Sequence, residues 1–183
     1  MKVRLLRTDK SPMSAHSNGS GPRSNRYSEN RFTNWSAYEP WWLEIQAIHK
    51  RFNGRIAKNP SFPKIIDFEP LEGFIRPCTA AQVETQLRHC PPNFIEGLRA
   101  VFILAGTRKQ LESCQHGARY YGHYWRRCIF LHAQPFGQAD LIWLRRFYVR
   151  DVLMHEIGHH LDLVNTDAKK RELFAEQFAA RYG

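Results

Sequence analysis

The sequence predicts an α+β fold in which a small mixed or antiparallel sheet packs against helices. Three features predict this class: short apolar runs bounded by glycine or proline, an amphipathic helical pattern over residues 139–164, and a helix-prone segment over residues 168–182. Hydrophobic residues make up 43% of the 183-residue chain, which is enough to build a buried core. We therefore expect a folded domain whose last two helices form a pair.

The first 34 residues differ in composition from the rest of the chain. They are rich in Ser, Asn, Gly and Arg and lack apolar periodicity, so they cannot bury enough surface to offset the entropy lost on ordering. We expect residues 1–34 to be a disordered basic tail and residues 35–183 to be the folded domain. The tail is predicted to be a linker, with a flexible nucleic-acid arm as the alternative.

The first helix is predicted to begin near Glu39-Pro40. Apolar residues recur at helical spacing from Trp41 to Phe52, proline is favoured in a first helical turn, and Asn53-Gly54 is a natural stop. Residues 55–78 hold four prolines and two short apolar runs, which predicts an irregular loop with short strand pieces.

A second helix is predicted to start after Thr79, because Thr79 and Gln82 form a capping box. The apolar run Leu98–Leu104 indicates a buried strand. Residues 118–124 and 128–133 are rich in aromatic and β-branched side chains and predict a further strand pair.

The formal net charge of +10, from 27 basic and 17 acidic residues, favours acidic partners. Nucleic acid is one such partner, and a solvated basic surface is the simpler interpretation. The four cysteines form no CxxC motif, so we interpret them as ordinary buried or surface thiols.

The sequence contains no apolar run of eighteen residues, so no membrane span is predicted. The basic N-terminus is not followed by an apolar stretch, so no secretory signal is predicted and a cytoplasmic location is expected. A toxin exported by a dedicated signal-independent machine would have the same features.

The most informative motif is His155-Glu156-Ile157-Gly158-His159, which lies within the amphipathic segment 139–164. On a helix, residues four apart point the same way, about 6 Å from each other, so His155 and His159 can grip one ion. Glu156 is rotated out of that row and can act on a water molecule. This is the physical content of the HExxH zinc pattern.

A catalytic zinc needs a third protein ligand, and the next helix offers two glutamates. Asn165-Thr166-Asp167 is typical of a turn followed by a helix cap, and a helix hairpin closed by it brings positions equidistant from the turn into register. Glu172 is then expected to face His159, and Glu176 to face His155. Gly158 allows close approach of the second helix or of substrate, or else is a packing glycine.

The motifs HEIGHHLD and ELFAEQFA together resemble the gluzincin metallopeptidases, closest to the catalytic domain group of anthrax toxin lethal factor and more loosely the ImmA/IrrE-like peptidases. The resemblance covers residues 153–182 and implies a zincin-like fold with an active-site helix followed by a glutamate helix. It implies that Glu172 ligates zinc and that Glu176 contacts the ligands without binding the metal. Glu176 is the alternative ligand. Asp162 matches a family aspartate, which orients a ligand imidazole or faces solvent.

Two departures from that group concern the hairpin. Twelve residues separate His159 from Glu172, fewer than in most relatives. Asn165 occupies the position of a tyrosine that stabilises the oxyanion in the lethal factor group. Replacement candidates from the predicted strand are Tyr121, His123 and Tyr124, for which core packing is the alternative.

The resulting expectation is a zinc-dependent metallopeptidase that hydrolyses a peptide or protein substrate, with Zn²⁺ as cofactor and Glu156 as general base. The alternative is a basic nucleic-acid-associated protein whose zinc site is structural or regulatory. A zincin that has lost its activity is a weaker possibility, because the HExxH motif is intact.

Overall fold

The computed structural model describes residues 35–115, 120–135 and 146–183. The predicted tail, residues 1–34, and the predicted helical residues 139–145 lie outside the described part. The α-helices are α1 (Trp35–Phe52), α2 (Ala80–His89), α3 (Pro92–Ile95), α4 (Arg108–Gln115), α5 (Leu153–Leu161) and α6 (Ala168–Tyr182). The strands are β1 (Lys64–Asp67), β2 (Phe74–Ile75), β3 (Ala100–Ile103), β4 (Gly122–Trp125), β5 (Cys128–Leu131) and β6 (Gln134–Pro135).

The central sheet has the order β1-β3-β5-β4. The pairs β1–β3 and β3–β5 are parallel, whereas β4 runs antiparallel to β5 and forms one edge. A small mixed sheet within an α+β fold is therefore confirmed. Strands β2 and β6 form a separate antiparallel pair. Within the described residues, no helix is long and apolar enough to cross a bilayer.

Side chains alternate between the two faces of the sheet, and each face has its own core. On one face, Phe102 and Phe130 stack with ring centres 5.0 Å apart and pack with Ile45 of α1. On the other face, Ile103 and Leu131 pack with residues of α2, α5 and α6. The sheet is therefore a middle layer, with α1 on one side and the HExxH helix on the other.

The first helix differs from its prediction at the start. It begins at Trp35, upstream of the expected start, and includes Pro40 in its interior. A proline there removes one backbone hydrogen bond. The ring of Tyr38 packs 5.0 Å from Tyr120 and 5.4 Å from His123, and this aromatic contact stabilises the additional turn.

Several local predictions are confirmed. The Thr79 and Gln82 capping box starts α2, the run around Ala100–Ile103 is a buried central strand, and Asp167 caps α6 through the backbone N–H of Lys170. The predicted strand pair forms as β4 and β5, although β4 begins only at Gly122.

The HExxH helix ends earlier than its apolar pattern predicts. A segment with π-helical hydrogen bonding, Phe147–Val152, leads into α5, which stops at Leu161. Leu163 and Val164, expected on apolar stripes of the helix, are 89% and 87% exposed. That expectation was wrong because Asp162 leaves the helical conformation, with ψ at 83°.

Candidate metal centre

Helices α5 and α6 cross closely because Gly158 has no side chain. A β-carbon at Gly158 would lie 2.8 Å from the α-carbon of Ala175, well inside ordinary contact distance. The sequence left open whether this glycine admits the second helix or substrate, and the structure shows the helix. The close crossing brings the α6 glutamates to the histidine face of α5.

Three side chains converge at this crossing. The Nε2 atoms of His155 and His159 lie 3.1 Å apart. Each of them is 3.5 Å from a carboxylate oxygen of Glu172, Oε2 for His155 and Oε1 for His159. Both imidazoles are buried, and the Glu172 side chain is 12% exposed. The three groups can hold a metal ion, as the sequence predicted.

The spacing of the three donors fits one small ion. Zinc held tetrahedrally at about 2.0–2.1 Å from each ligand separates the ligand atoms by about 3.3–3.4 Å. The two imidazole nitrogens are 3.1 Å apart and each lies 3.5 Å from a different oxygen of Glu172, so the separations are close to that value. The donor set of two imidazole nitrogens and one carboxylate is also one that zinc accepts, and it leaves a fourth position for water or substrate.

Glu156 is buried beside the triad and touches the edge strand. Its side chain is 3% exposed, and a β-carbon at Gly122 would lie 2.8 Å from its Oε1 atom. Glycine at the start of β4 thus makes room for this carboxylate. Sequence analysis missed Gly122, because nothing in the local pattern indicates that this strand residue faces the HExxH helix.

Glu176 lies near the triad without joining it. Among the described residues, the group with metal-ligand spacing contains His155, His159 and Glu172 only. Burial raises the pKa of Glu176, His155 acts to lower it, and the carboxylate of Glu172 acts to raise it. Glu172 is therefore the glutamate positioned to bind a metal ion, and Glu176 lies close enough to interact electrostatically with His155 and Glu172.

Asp162 is buried and hydrogen-bonded within the turn after α5, which excludes the solvent-facing alternative. It is 9% exposed, so it does not face solvent, and its Oδ1 accepts hydrogen bonds from the backbone N–H and the side-chain amide of Asn165, at 3.1 and 2.9 Å. The aspartate thus fixes the turn between α5 and α6. It holds the ligand helices in place through the backbone.

The structure separates the three oxyanion candidates. His123 lies on the α1 face of the sheet, opposite the triad, because alternate strand residues point to opposite faces and Gly122 is on the triad side. The Nδ1 of His123 lies 2.9 Å from the Nε2 of His132, whose Nδ1 in turn lies 3.7 Å from a carboxylate oxygen of Glu44.

Tyr121 and Tyr124 contact side chains on the α5 side of the sheet. The ring of Tyr121 packs edge-on against Phe147, with centres 5.1 Å apart. The Tyr124 hydroxyl lies 3.1 Å from Nδ1 of His160, whose Nε2 donates to the Glu96 carbonyl at 2.8 Å. His160 is buried, and burial lowers its pKa, which favours the neutral ring.

Comparison of the chain with protein-family models, with curated proteins and with solved structures found no match in any of the three.

Proposed function

We propose that this chain is a zinc-dependent metallopeptidase of the zincin type, which hydrolyses peptide bonds in a peptide or protein substrate. The observation that carries the proposal is the convergence of both HExxH histidines with Glu172 from the next helix. Three protein donors leave a coordination position for chemistry, whereas structural zinc sites close all four positions with protein ligands.

Zinc is the ion that this donor set favours. Imidazole suits several transition metals, but two imidazoles and one carboxylate on short, rigid elements match the catalytic zinc sites of hydrolases. When bound, zinc supplies a Lewis acid that polarises a carbonyl and brings the pKa of water down to about 7.

Glu156 performs the proton transfers. Glu156 directly follows His155 in the chain and is not one of the three residues with metal-ligand spacing, so it can accept a proton from the attacking water and later donate it to the leaving nitrogen. The HExxH helix is buried along the face that carries the motif, which excludes bulk water and strengthens these electrostatic interactions. Because Gly122 has no side chain, the Glu156 carboxylate can occupy this position.

Strand β4 provides the docking edge for an extended substrate. Within the described strands it pairs with β5 alone, so its outer backbone groups can pair with a peptide. Gly122 at its start contacts Glu156, so a peptide along this edge passes beside the general base. An extended polypeptide is therefore the substrate class that this arrangement suits.

The decisive experiment replaces Glu156 by glutamine. We expect E156Q to bind one zinc per chain as the unmodified protein does and to lose cleavage of a peptide library, because an amide cannot accept the proton. Chelator treatment of the unmodified protein is the matched control and should also abolish cleavage. Cleavage by E156Q at the unmodified rate would overturn the assignment of Glu156.

A further inference from the structure

The amino ends of the parallel strands meet at one end of the sheet and carry basic residues. Lys64, Ala100 and Cys128 lie side by side at the starts of β1, β3 and β5. Arg99 and Arg127 directly precede the second and third of these residues. Positive charge from three separate segments is thereby brought together by the sheet topology.

Hydrogen bonds join the end of α1 to this same surface. The guanidinium of Arg99 donates to Oδ1 of Asn53 at 2.9 Å and to its carbonyl at 3.1 Å. The backbone N–H of Arg99 donates to the carbonyl of Arg127 at 2.7 Å, and the guanidinium of Arg127 reaches Oδ1 of Asn59 at 3.1 Å. The turn after α1, the loop behind it and the β4–β5 hairpin tip therefore form one continuous surface.

This surface, the basic sheet end, carries no locally neutralising carboxylate from its own segments. Residues 49–66, 97–100 and 122–128, which contain it, include no Asp or Glu, and the exposed Glu96 directly precedes the second of these segments. Its exposed basic side chains are Lys50, Arg51, Arg55, Lys58, Lys64, Arg126 and Arg127. Seven exposed basic side chains therefore share a surface whose own segments supply no acidic residue, which favours a polyanionic partner.

The guanidinium of Arg126 stacks on the ring of Trp125 at the tip of the β4–β5 hairpin. The guanidinium carbon of Arg126 lies 4.7 Å from the centre of the Trp125 ring, which packs on Trp42 with centres 4.9 Å apart. Arg126 and Arg127 both have positive φ, 50° and 62°, in a turn where asparagine and glycine are preferred. Stacked guanidinium and indole faces are groups on which nucleic-acid bases stack.

We propose that the basic sheet end binds single-stranded nucleic acid. The exposed Lys and Arg side chains neutralise successive phosphates, and unpaired bases stack at Trp125 and Arg126. An anionic membrane fits less well, because the most exposed large hydrophobic side chains of the described residues, Leu163 and Val164, are not part of this surface. The proposal is independent of the metal centre, whose ligands are absent from the basic sheet end.

The test measures fluorescence anisotropy of a labelled oligouridylate of about 20 nucleotides with the full chain, between about 50 and 200 mM NaCl. The double variant R55Q/R126Q removes two charges from the basic sheet end. The matched control R108Q/K109Q removes two exposed charges from α4. Both variants keep the basic residues 1–34, so any contribution of that segment cancels.

We expect R55Q/R126Q to weaken binding about tenfold or more and to lower the slope of log affinity against log salt by about 1.4, two phosphate contacts at about 0.7 each. The control should stay within about twofold of the unmodified chain. Equal loss in both variants, no change in either, or the absence of salt-dependent binding would overturn the proposal. Binding of phosphatidylserine vesicles without binding of the oligonucleotide would also overturn it, and would assign the surface to membranes.

Discussion

Replacing Gly158 by alanine tests whether the close crossing of α5 and α6 builds the metal centre. The added β-carbon would lie 2.8 Å from the α-carbon of Ala175 and 3.2 Å from the β-carbon of Phe178. Carbon atoms pack at about 3.5–4.0 Å, so the helices must separate by about 0.7–1.2 Å. Metal–ligand distances tolerate about 0.2 Å, so Glu172, one turn before Ala175, moves out of reach.

The expected result is a loss of zinc affinity of about 10- to 100-fold, the range seen when the orientation of ligands is disturbed. The free energy of unfolding should change less: overpacking costs about 1–3 kcal/mol, and the better helix propensity of alanine offsets about 1 kcal/mol of it. Competition with a chromophoric zinc chelator measures the first quantity, and denaturant unfolding of the zinc-free protein measures the second.

The matched control is Gly54→Ala, because a β-carbon at Gly54 would meet nothing within 4 Å. That variant should bind zinc as the unmodified chain does. If Gly158→Ala also binds zinc with unchanged affinity, the crossing does not position Glu172, and the argument from helix packing to metal binding fails.

Three further predictions concern single residues. Glu172→Gln should weaken zinc binding about 100-fold or more in the same competition assay, because a neutral amide replaces an anionic ligand; unchanged affinity would remove Glu172 from the site. Gly122→Ala should lower peptidase turnover about 10- to 100-fold because the added methyl group displaces Glu156. Its zinc affinity should stay near that of the unmodified chain. An equal loss of turnover and of zinc affinity would mean that Gly122 only supports the fold. Burial lowers the pKa of His49, and Arg126 lowers it further, so the unfolded chain binds the proton more tightly. Stability should therefore fall as the pH drops through about 6.5 toward the folded pKa, and a His49→Gln variant should show a weaker fall in denaturant titrations; an identical pH profile would contradict this.

Local patterns predicted the parts of this fold that depend on neighbouring residues in the chain. The capping box at Thr79 and Gln82 and the cap at Asp167 are set by short-range hydrogen bonds. The histidine pair of the HExxH motif follows from helical geometry alone. The short connection between the last two helices indicated that Glu172 and Glu176 would both lie opposite the histidines, and only the resemblance to the gluzincins favoured Glu172, the glutamate that the structure places in the buried triad.

Features that depend on long-range packing escaped prediction. The early start of α1 rests on ring contacts between Tyr38 and residues some eighty positions later. The face occupied by His123 depends on the register of β4 against β5, and a shift of one residue would reverse it. The role of Gly122 required knowing that the start of β4 lies against Glu156. No local periodicity contains that information.

The metal centre is tested most directly by zinc K-edge X-ray absorption spectroscopy on the purified full chain loaded with one equivalent of zinc. We expect nitrogen and oxygen neighbours only, at about 2.0 Å, with outer-shell scattering from two imidazoles, and the loss of that two-imidazole signal in His155→Ala. A sulfur neighbour at about 2.3 Å, or four protein ligands and no open position, would contradict a hydrolytic centre built from His155, His159 and Glu172.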